Sequence, residues 1–237
     1  MAYKLRIKFN KYAHMIFIGH LDLMRYFQKA MRRGGVDISY SEGFSPHQIM
    51  SFAQPLGVGI YSDGEYMDIS VNSLTSEQQL KDALNGVMSE GVDILSVKLL
   101  ADKTPNSMAS VVAASYFVAF REGYEPDFDL AKAAADFYAQ DKIMIEKETK
   151  KGTRTLDLKE HIYSFSYDPD KNSLYMLLDA SSGGNIKPSL VMEQLYREQG
   201  RELGEFDLIV TREDMFALKD PDKPGVFISL GEIGDSY

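Results

Sequence analysis

The hydrophobic pattern of this chain repeats one order of elements twice, and that order limits the folds open to it. Residues 5–9 alternate with a period of two, as a half-buried strand does, and residues 21–33 follow the helical period of three and four. The first half continues as strand, strand, helix, strand, at residues 36–40, 66–71, 75–88 and 92–100. The second half repeats the order, at residues 111–120, 127–140, 142–148, 174–179, 188–197 and 206–210.

This order predicts an α+β protein of two tandem ferredoxin-like βαββαβ units, each with an antiparallel sheet and its helices on one face. The units would span residues 1–104 and 105–220, with residues 221–237 as a C-terminal tail. An additional hairpin arm at residues 149–167 interrupts the second unit. The alternative is a single α+β domain with the same elements.

Three local signals mark where helices begin and end. Gly34 and Gly35 predict the end of the first helix, because glycine adopts the backbone conformation of a helix C-terminus. Thr75 and Gln78 predict a capping box that opens the second helix. Pro188 predicts the first turn of the last helix.

Charge is distributed unevenly along the 237 residues. Residues 1–54 hold eight Lys and Arg against three Asp and Glu, a balance of +5, whereas the remaining residues carry −14. A basic N-terminal region in an otherwise acidic chain predicts that this region binds an anionic partner. No segment has the ~18 apolar residues needed to span a bilayer, and the N-terminus lacks the apolar centre of a signal peptide. We therefore expect a cytoplasmic protein without membrane contact.

Cysteine and histidine usage excludes several kinds of site. The chain has no cysteine, so it forms no disulfide, no thiolate nucleophile and no cysteine-bound iron–sulfur cluster. Its four histidines are scattered and lack the spacing of a zinc site. No Gly-x-Ser-x-Gly motif is present, which argues against a serine hydrolase. We predict no metal site in this chain.

The first helix carries cations on the side opposite its apolar stripe. Arg25, Lys29 and Arg32 follow one another at intervals of four and three residues, flanked by Arg33. Like charges at this spacing repel by roughly a few tenths of a kcal/mol per pair. A bound polyanion would relieve that repulsion. The alternative is a solvated helix face without a ligand.

Two further features near this helix carry candidate chemistry. His20 and Asp22 stand at the helix start, where Asp22 complements the helix dipole and His20 either caps the helix, lies buried, or exchanges protons. The loop at residues 40–47, YSEGFSPH, combines Gly43 and Pro46, which predict an irregular backbone that displays Phe44 and His47. An aromatic ring, hydroxyls and a histidine suit stacking on a base or binding a phosphate. The alternative is a tight connection in which Phe44 fills the core.

The second half has weaker counterparts. A glycine-containing loop at residues 181–185, SSGGN, precedes a helix, where backbone amides bind anions, although most such loops are only turns. A second basic cluster on the hairpin arm comprises Lys147, Lys150, Lys151, Arg154 and Lys159.

Five short motifs stand in the first 66 residues: residues 19–25 (GHLDLMR), 30–35 (AMRRGG), 40–47 (YSEGFSPH), 51–53 (SFA) and 64–66 (GEY). With these motifs the chain resembles the bacterial radical-SAM-linked domain of unknown function, which occurs alone or at the C-terminus of a radical-SAM protein. The resemblance is dense over residues 3–72 and looser to about residue 215, where residues 156–159 and the Lys187-Pro188 helix start are similar to its second half. Gln48 departs from the family, which commonly has proline there.

The resemblance implies a partnership with a radical-SAM protein and no established activity of this chain. S-adenosylmethionine and the iron–sulfur cluster are expected only on that partner, because this chain lacks the cysteines that hold the cluster. No cofactor is expected here.

Three hypotheses follow. The first is a module that binds RNA and presents it to the radical-SAM partner for modification. The second is a metal-free RNA-processing enzyme with His20 and His47 as catalytic acid and base. The third is an adaptor that docks the partner protein directly. The residues predicted to bind the substrate or an anion are Arg25, Lys29, Arg32, Arg33, Tyr40, Ser41, Phe44, Ser45 and Glu65.

A geometric expectation accompanies them. Residues 19–25, residues 40–47 and Glu65 should converge on one surface cleft of the first unit, since together they make a site and apart each is only a turn or a cap. Arg25 should point at the loop and pair with Glu42 or Glu65 when no anion is bound.

Overall fold

A computed structural model describes residues 2–149, 152–220 and 222–237. The protein is α+β, as the sequence predicts, and it divides into two compact units. The first unit comprises Met1–Val111 together with Asp214–Tyr237, and the second comprises Val112–Glu213. The element order predicts boundaries after residues 104 and 220. In the structure, the segment from Asp214 to the C-terminus belongs to the first unit.

The elements of the first unit are β1 (Tyr3–Lys11), α1 (His20–Arg33), β2 (Met50–Phe52), β3 (Tyr61–Val71), α2 (Glu77–Asn85), β4 (Ile94–Leu100) and the short α3 (Ser107–Ser110). Its strands have the order β4-β1-β3-β2, and all three pairings are antiparallel. The predicted strand at residues 36–40 is wrong: Ile38 and Tyr40 make only isolated bridges, and the sheet strand is β2, which the pattern did not predict.

The core of this unit lies between the sheet and the two longer helices. Alternate residues of β1 and β3 face it, and the apolar stripe of α1 closes over them. Each such side chain contributes about 1.5–3 kcal/mol through removal from water. The buried residues include Leu5, Ile7, Phe9, Leu23, Phe27, Met31, Met67, Ile69 and Val71.

The elements that follow are β5 (Ala113–Phe120), α4 (Leu130–Ala139), β6 (Met144–Thr149), β7 (Gly152–Asp157), β8 (Ile162–Asp168), β9 (Ser173–Asp179), α5 (Pro188–Glu198) and β10 (Leu208–Leu218). The second unit has the strand order β10-β5-β9-β8 and a separate two-stranded hairpin, β6-β7. Residues 142–148, predicted as a sheet strand, belong to the hairpin instead, and the sheet strand is β8, which lies inside the predicted arm. Lys150 and Lys151 of the predicted basic cluster lie outside the described residues.

Two of the three predicted helix signals are confirmed. α1 ends at Gly34, and Gly35 follows with a φ of 67°; Pro188 begins α5. The predicted capping box of α2 is wrong by one residue. Ser76 accepts a hydrogen bond from the backbone of Gln79, whose side chain accepts one from the backbone of Ser76.

The sheet face of the first unit opposite α1 carries a buried ion pair. Arg6, 1% exposed, donates from Nε and Nη2 to the two carboxylate oxygens of Asp68, at 2.8 and 3.0 Å. The pattern predicts a half-buried strand at residues 5–9, but Arg6, on the face away from the core, is buried as well. The segment that leads into α3 covers it: Arg6 Nη2 donates to Pro105 O at 3.2 Å, and the Ser107 N–H donates to Asp68 at 2.6 Å.

The segment from Asp214 to the C-terminus is an integral part of the first unit. Tyr66 donates its phenol proton to Asp214, and Ser229 of β11 (Phe227–Ser229) donates to the same carboxylate at 2.7 Å. Leu99 and Asp235 exchange two backbone hydrogen bonds of 2.9 Å. Within the part of the chain that the structure describes, none of the helices has the length and hydrophobicity of a transmembrane span.

Candidate functional site

The loop at residues 41–47 projects its aromatic ring into solvent. Phe44 is fully exposed, with a relative exposure of 112%. Gly43 has a φ of 109°, a conformation that residues with a side chain rarely adopt. The prediction that this loop displays Phe44 and His47 is confirmed, and the alternative in which Phe44 fills the core is wrong.

His47 is held at the closing end of this loop by Ser41. The Ser41 hydroxyl lies 2.8 Å from Nδ1 of His47 and accepts the His47 backbone N–H at 3.1 Å. The Ser41 backbone N–H donates to the His47 carbonyl at 2.8 Å, which fixes both ends of the loop. When the hydroxyl donates to Nδ1, the imidazole carries its proton on Nε2 and offers that N–H to a ligand.

Gln48 links the base of the loop to α1. It forms a bridge with Tyr40, and its buried side chain donates from Nε2 to the Gln28 carbonyl of α1 at 3.2 Å. The phenol of the half-exposed Tyr40 lies 3.4 Å from the same nitrogen. Gln48 therefore fixes the base of the loop against α1.

The outer face of α1 is cationic and open to solvent. Arg25, Lys29 and Arg32 are all exposed on the side opposite the buried stripe, so their predicted orientation is confirmed. Arg25 bonds to Asp22 at 3.1 Å, and its predicted pairing with Glu42 or Glu65 is wrong. Asp22 lies one helical turn earlier on the same face and is therefore the nearer carboxylate.

Arg33 and Ser45 also lie at the surface of the first unit. The Arg33 guanidinium donates from Nη2 to the Val87 carbonyl at 3.0 Å, beyond the last turn of α1. Ser45 is exposed within the loop, next to Phe44.

His20 lies at the start of α1 but does not cap it. Gly19 is the N-cap, and it has no side chain with which to accept a hydrogen bond. The half-buried His20 ring packs edge-on against Phe52 at 5.4 Å between ring centres. This contact ties His20 to the core, whereas the contacts described for His47 are within its own loop. The pairing of the two histidines as acid and base stays a prediction.

Glu65 lies inside the first unit. It is 4% exposed, occupies the core face of β3 opposite Phe9, and accepts a hydrogen bond of 2.7 Å from Ser62. The described bonds therefore bring Tyr40, the loop and α1 together, while Glu65 binds the protein's own groups below the surface.

Lys11 is a buried cation that the sequence analysis missed. Its ammonium, on a residue only 1% exposed, donates to the carbonyls of Ile18 and Ile16 at 2.7 and 3.4 Å. It thus fixes the backbone that leads directly into Gly19 and α1. The alternation of β1 contains the signal, because Lys11 continues the inward series of Leu5, Ile7 and Phe9.

A histidine–carboxylate pair in the second unit was also missed. Nδ1 of His161 lies 2.8 Å from Asp179, whose other oxygen accepts the Ser181 N–H at 2.8 Å. Burial alone would raise the pKa of Asp179, but the bonds from Ser181 and His161 hold that pKa below its usual value. Gly184 approaches so closely that a Cβ there would lie 1.9 Å from the Asp179 carboxylate. The sequence showed the glycine loop but not the β8–β9 pairing that brings His161 to it.

The described residues contain no group of three or more His, Cys, Asp or Glu placed to hold a metal ion. The protein matches a bacterial family over residues 4–188, a range that includes α1, the 41–47 loop and the His161–Asp179 pair. The chain belongs to this family. Its description reads "Uncharacterized protein conserved in bacteria (DUF2344)". A search of the curated proteins finds no match.

Proposed function

We propose that this DUF2344 protein is an RNA-binding module that presents RNA to a radical-SAM partner for modification, in the bacterial cytoplasm. The single observation that carries the proposal is the fully exposed Phe44 ring on a loop that a hydrogen bond from Gln48 joins to the cationic helix α1. A free aromatic face beside a line of cations suits single-stranded RNA, whose bases stack while its phosphates are neutralised.

The Phe44 ring and the cationic face of α1 would contribute to RNA binding in different ways. Stacking of one base on an aromatic side chain is worth about 1–3 kcal/mol and tolerates any base. Lys29 and Arg32 supply the sequence-independent attraction to phosphates, which dominates affinity for nucleic acids. The net charge of −9 confines this attraction to a local surface.

The radical chemistry would belong to the partner. This chain has no cysteine, so S-adenosylmethionine and the iron–sulfur cluster would reside on a radical-SAM protein. The DUF2344 protein would hold the RNA in place and would need no cofactor.

The test is a filter-binding titration of the purified protein with bulk cellular RNA at low and at moderate salt. We expect retention at low salt that falls steeply as salt is added, because bound phosphates release counterions. Absence of retention at low salt would reject RNA binding.

A specific observation favours the adaptor as a second candidate. Phe17, Leu21 and Val58 are each more than half exposed in the first unit. A backbone hydrogen bond of 2.9 Å from Gly59 to Ile16 brings two of their segments together. Exposed apolar side chains close to one another are typical of protein contacts. Co-purification with a radical-SAM partner after RNase treatment would favour the adaptor over RNA presentation.

The enzyme hypothesis has no comparable support, because the ring of His20 packs against Phe52 of the core whereas His47 bonds within its own loop.

For the fold, we propose that the units are tandem ferredoxin-like domains. The orders β4-β1-β3-β2 and β10-β5-β9-β8 support this. When the separate hairpin β6-β7 is left out, each order places the first and the third sheet strand of its unit at the centre.

A further inference from the structure

A cavity of about 270 Å³ lies in the first unit beside the buried Arg6–Asp68 pair. It occupies the sheet face opposite α1, where Lys4, Asp68 and Ser70 alternate with residues of the core. The connection between β4 and α3 forms its other wall. The polar groups that line it are Lys4, Ser51, Asp68, Ser70, Thr104 and Asn106.

The charges around this cavity favour an anion. Both oxygens of Asp68 already accept hydrogen bonds, from Arg6 and from the Ser107 N–H. Arg6, which is 1% exposed, does not line the cavity, and its charge balances that of Asp68. Lys4 commits one donor to the Asp102 carbonyl at 2.9 Å and keeps two. Lys4 is therefore the uncompensated charge among the lining residues, and an ammonium group suits a phosphate.

Apart from the apolar Ile49, Met50, Ile69 and Leu100, the remaining residues of the lining suit hydroxyl groups. Ser51, Ser70 and Thr104 each offer a hydroxyl that both donates and accepts, and Asn106 adds an amide. The volume falls just below the range of about 300–1,000 Å³ typical of pockets for drug-sized ligands, so the occupant is small. We propose that this cavity binds a phosphorylated sugar of the size of ribose 5-phosphate.

The site goes beyond the RNA surface on α1 and does not depend on it. Its phosphorylated sugar has two possible sources, a free sugar phosphate or the 5′-phosphorylated terminal nucleotide of an RNA. Both present the same phosphate and hydroxyl chemistry to Lys4 and to the three hydroxyl residues.

The test is calorimetric titration of the whole protein with ribose 5-phosphate. Ser70→Leu fills the cavity, and Ser96→Leu is its matched control, because Ser96 lies opposite Lys8 on the same sheet face but outside the cavity. Lys4→Gln removes the exposed cation with little risk to folding, and Lys98→Gln is its control on the same face.

We expect ribose 5-phosphate to bind with a Kd of about 1 mM or lower, and Ser70→Leu and Lys4→Gln each to raise that Kd about tenfold. The two control variants should bind as the unaltered protein does. Should Ser70→Leu fail to fold, the comparison of Lys4→Gln with Lys98→Gln decides alone. No binding by the unaltered protein at about 10 mM ligand, or equal Kd values for Lys4→Gln and Lys98→Gln, would overturn the proposal.

A parallel titration compares short RNAs with a 5′-phosphate and with a 5′-hydroxyl. A Lys4-dependent preference for the 5′-phosphate identifies an RNA end as the occupant; equal binding of the two RNAs identifies a free sugar phosphate. Loss of RNA binding through α1 variants leaves the ribose 5-phosphate titration unchanged, so failure of the RNA proposal is distinguishable from failure of this one.

Discussion

Phe44 is a single residue whose proposed role in binding can be tested apart from stability. Its ring is surrounded by solvent, so its removal exposes no core and breaks no hydrogen bond. Asp179 is the opposite case, a carboxylate whose bonds are internal and whose loss acts on the fold.

Phe44→Ala is expected to weaken RNA binding about tenfold, because one stacked base is worth about 1–3 kcal/mol. The midpoint of thermal unfolding should not change. Tyr124→Ala, which removes an exposed ring from the second unit, is the control for a general loss of aromatic surface. Filter binding that is the same for both variants would show that Phe44 does not contact RNA.

Asp179→Asn is expected to lower the free energy of unfolding near neutral pH by about 1 kcal/mol or more, since a buried hydrogen-bonded acceptor is altered. The pKa of Asp179 is lowered in the folded protein, so its contribution is complete above the unfolded value of about 4 and is lost as the pH falls through the folded value. Urea unfolding from pH 7 to pH 3 should show the variant and the unaltered protein converging in acid. Asp141→Asn, at an exposed position of the second unit, is the control. The difference between its free energy of unfolding and that of the unaltered protein should not change with pH.

At the scale of elements, α1 combines a buried stripe with a cationic face that makes little contact with the rest of the chain. Lys29→Glu with Arg32→Glu is expected to reduce the log–log slope of RNA affinity against salt by about two, nearly one for each lost phosphate contact. Arg197→Glu changes an exposed cation of α5 and should leave the slope unchanged. An unchanged slope in the double variant would place the RNA elsewhere.

The elements also show why some features are predictable from sequence and others are not. The ends of α1 and the exposure of its cations follow from neighbouring residues, so the pattern predicts them. The burial of Arg6 depends on Pro105, almost a hundred positions away, and no local pattern contains that contact. β8 was placed inside the predicted hairpin arm, and its pairing with β9, which assigns it to the sheet, is a tertiary contact that the local pattern does not contain.

At the scale of the whole molecule, the first unit is built from two separate stretches of the chain. A protein that ends at Glu213 loses the partners of Tyr66 and the fully buried Leu230. We expect hydrogen exchange of this truncated protein to show lost protection in β1 and β3 and retained protection in β5 and β9. Full protection of β1 would contradict the integral role of the C-terminal segment.

The interruption of the first unit has a consequence for biosynthesis. A ribosome adds about 5–20 residues per second, so the strands that emerge first wait on the order of ten seconds for the segment that completes their unit. The second unit, being continuous, has all its residues before that moment. Nascent chains of this protein should therefore expose apolar strands of the first unit throughout that interval, and their yield should depend on chaperones that bind such strands during translation.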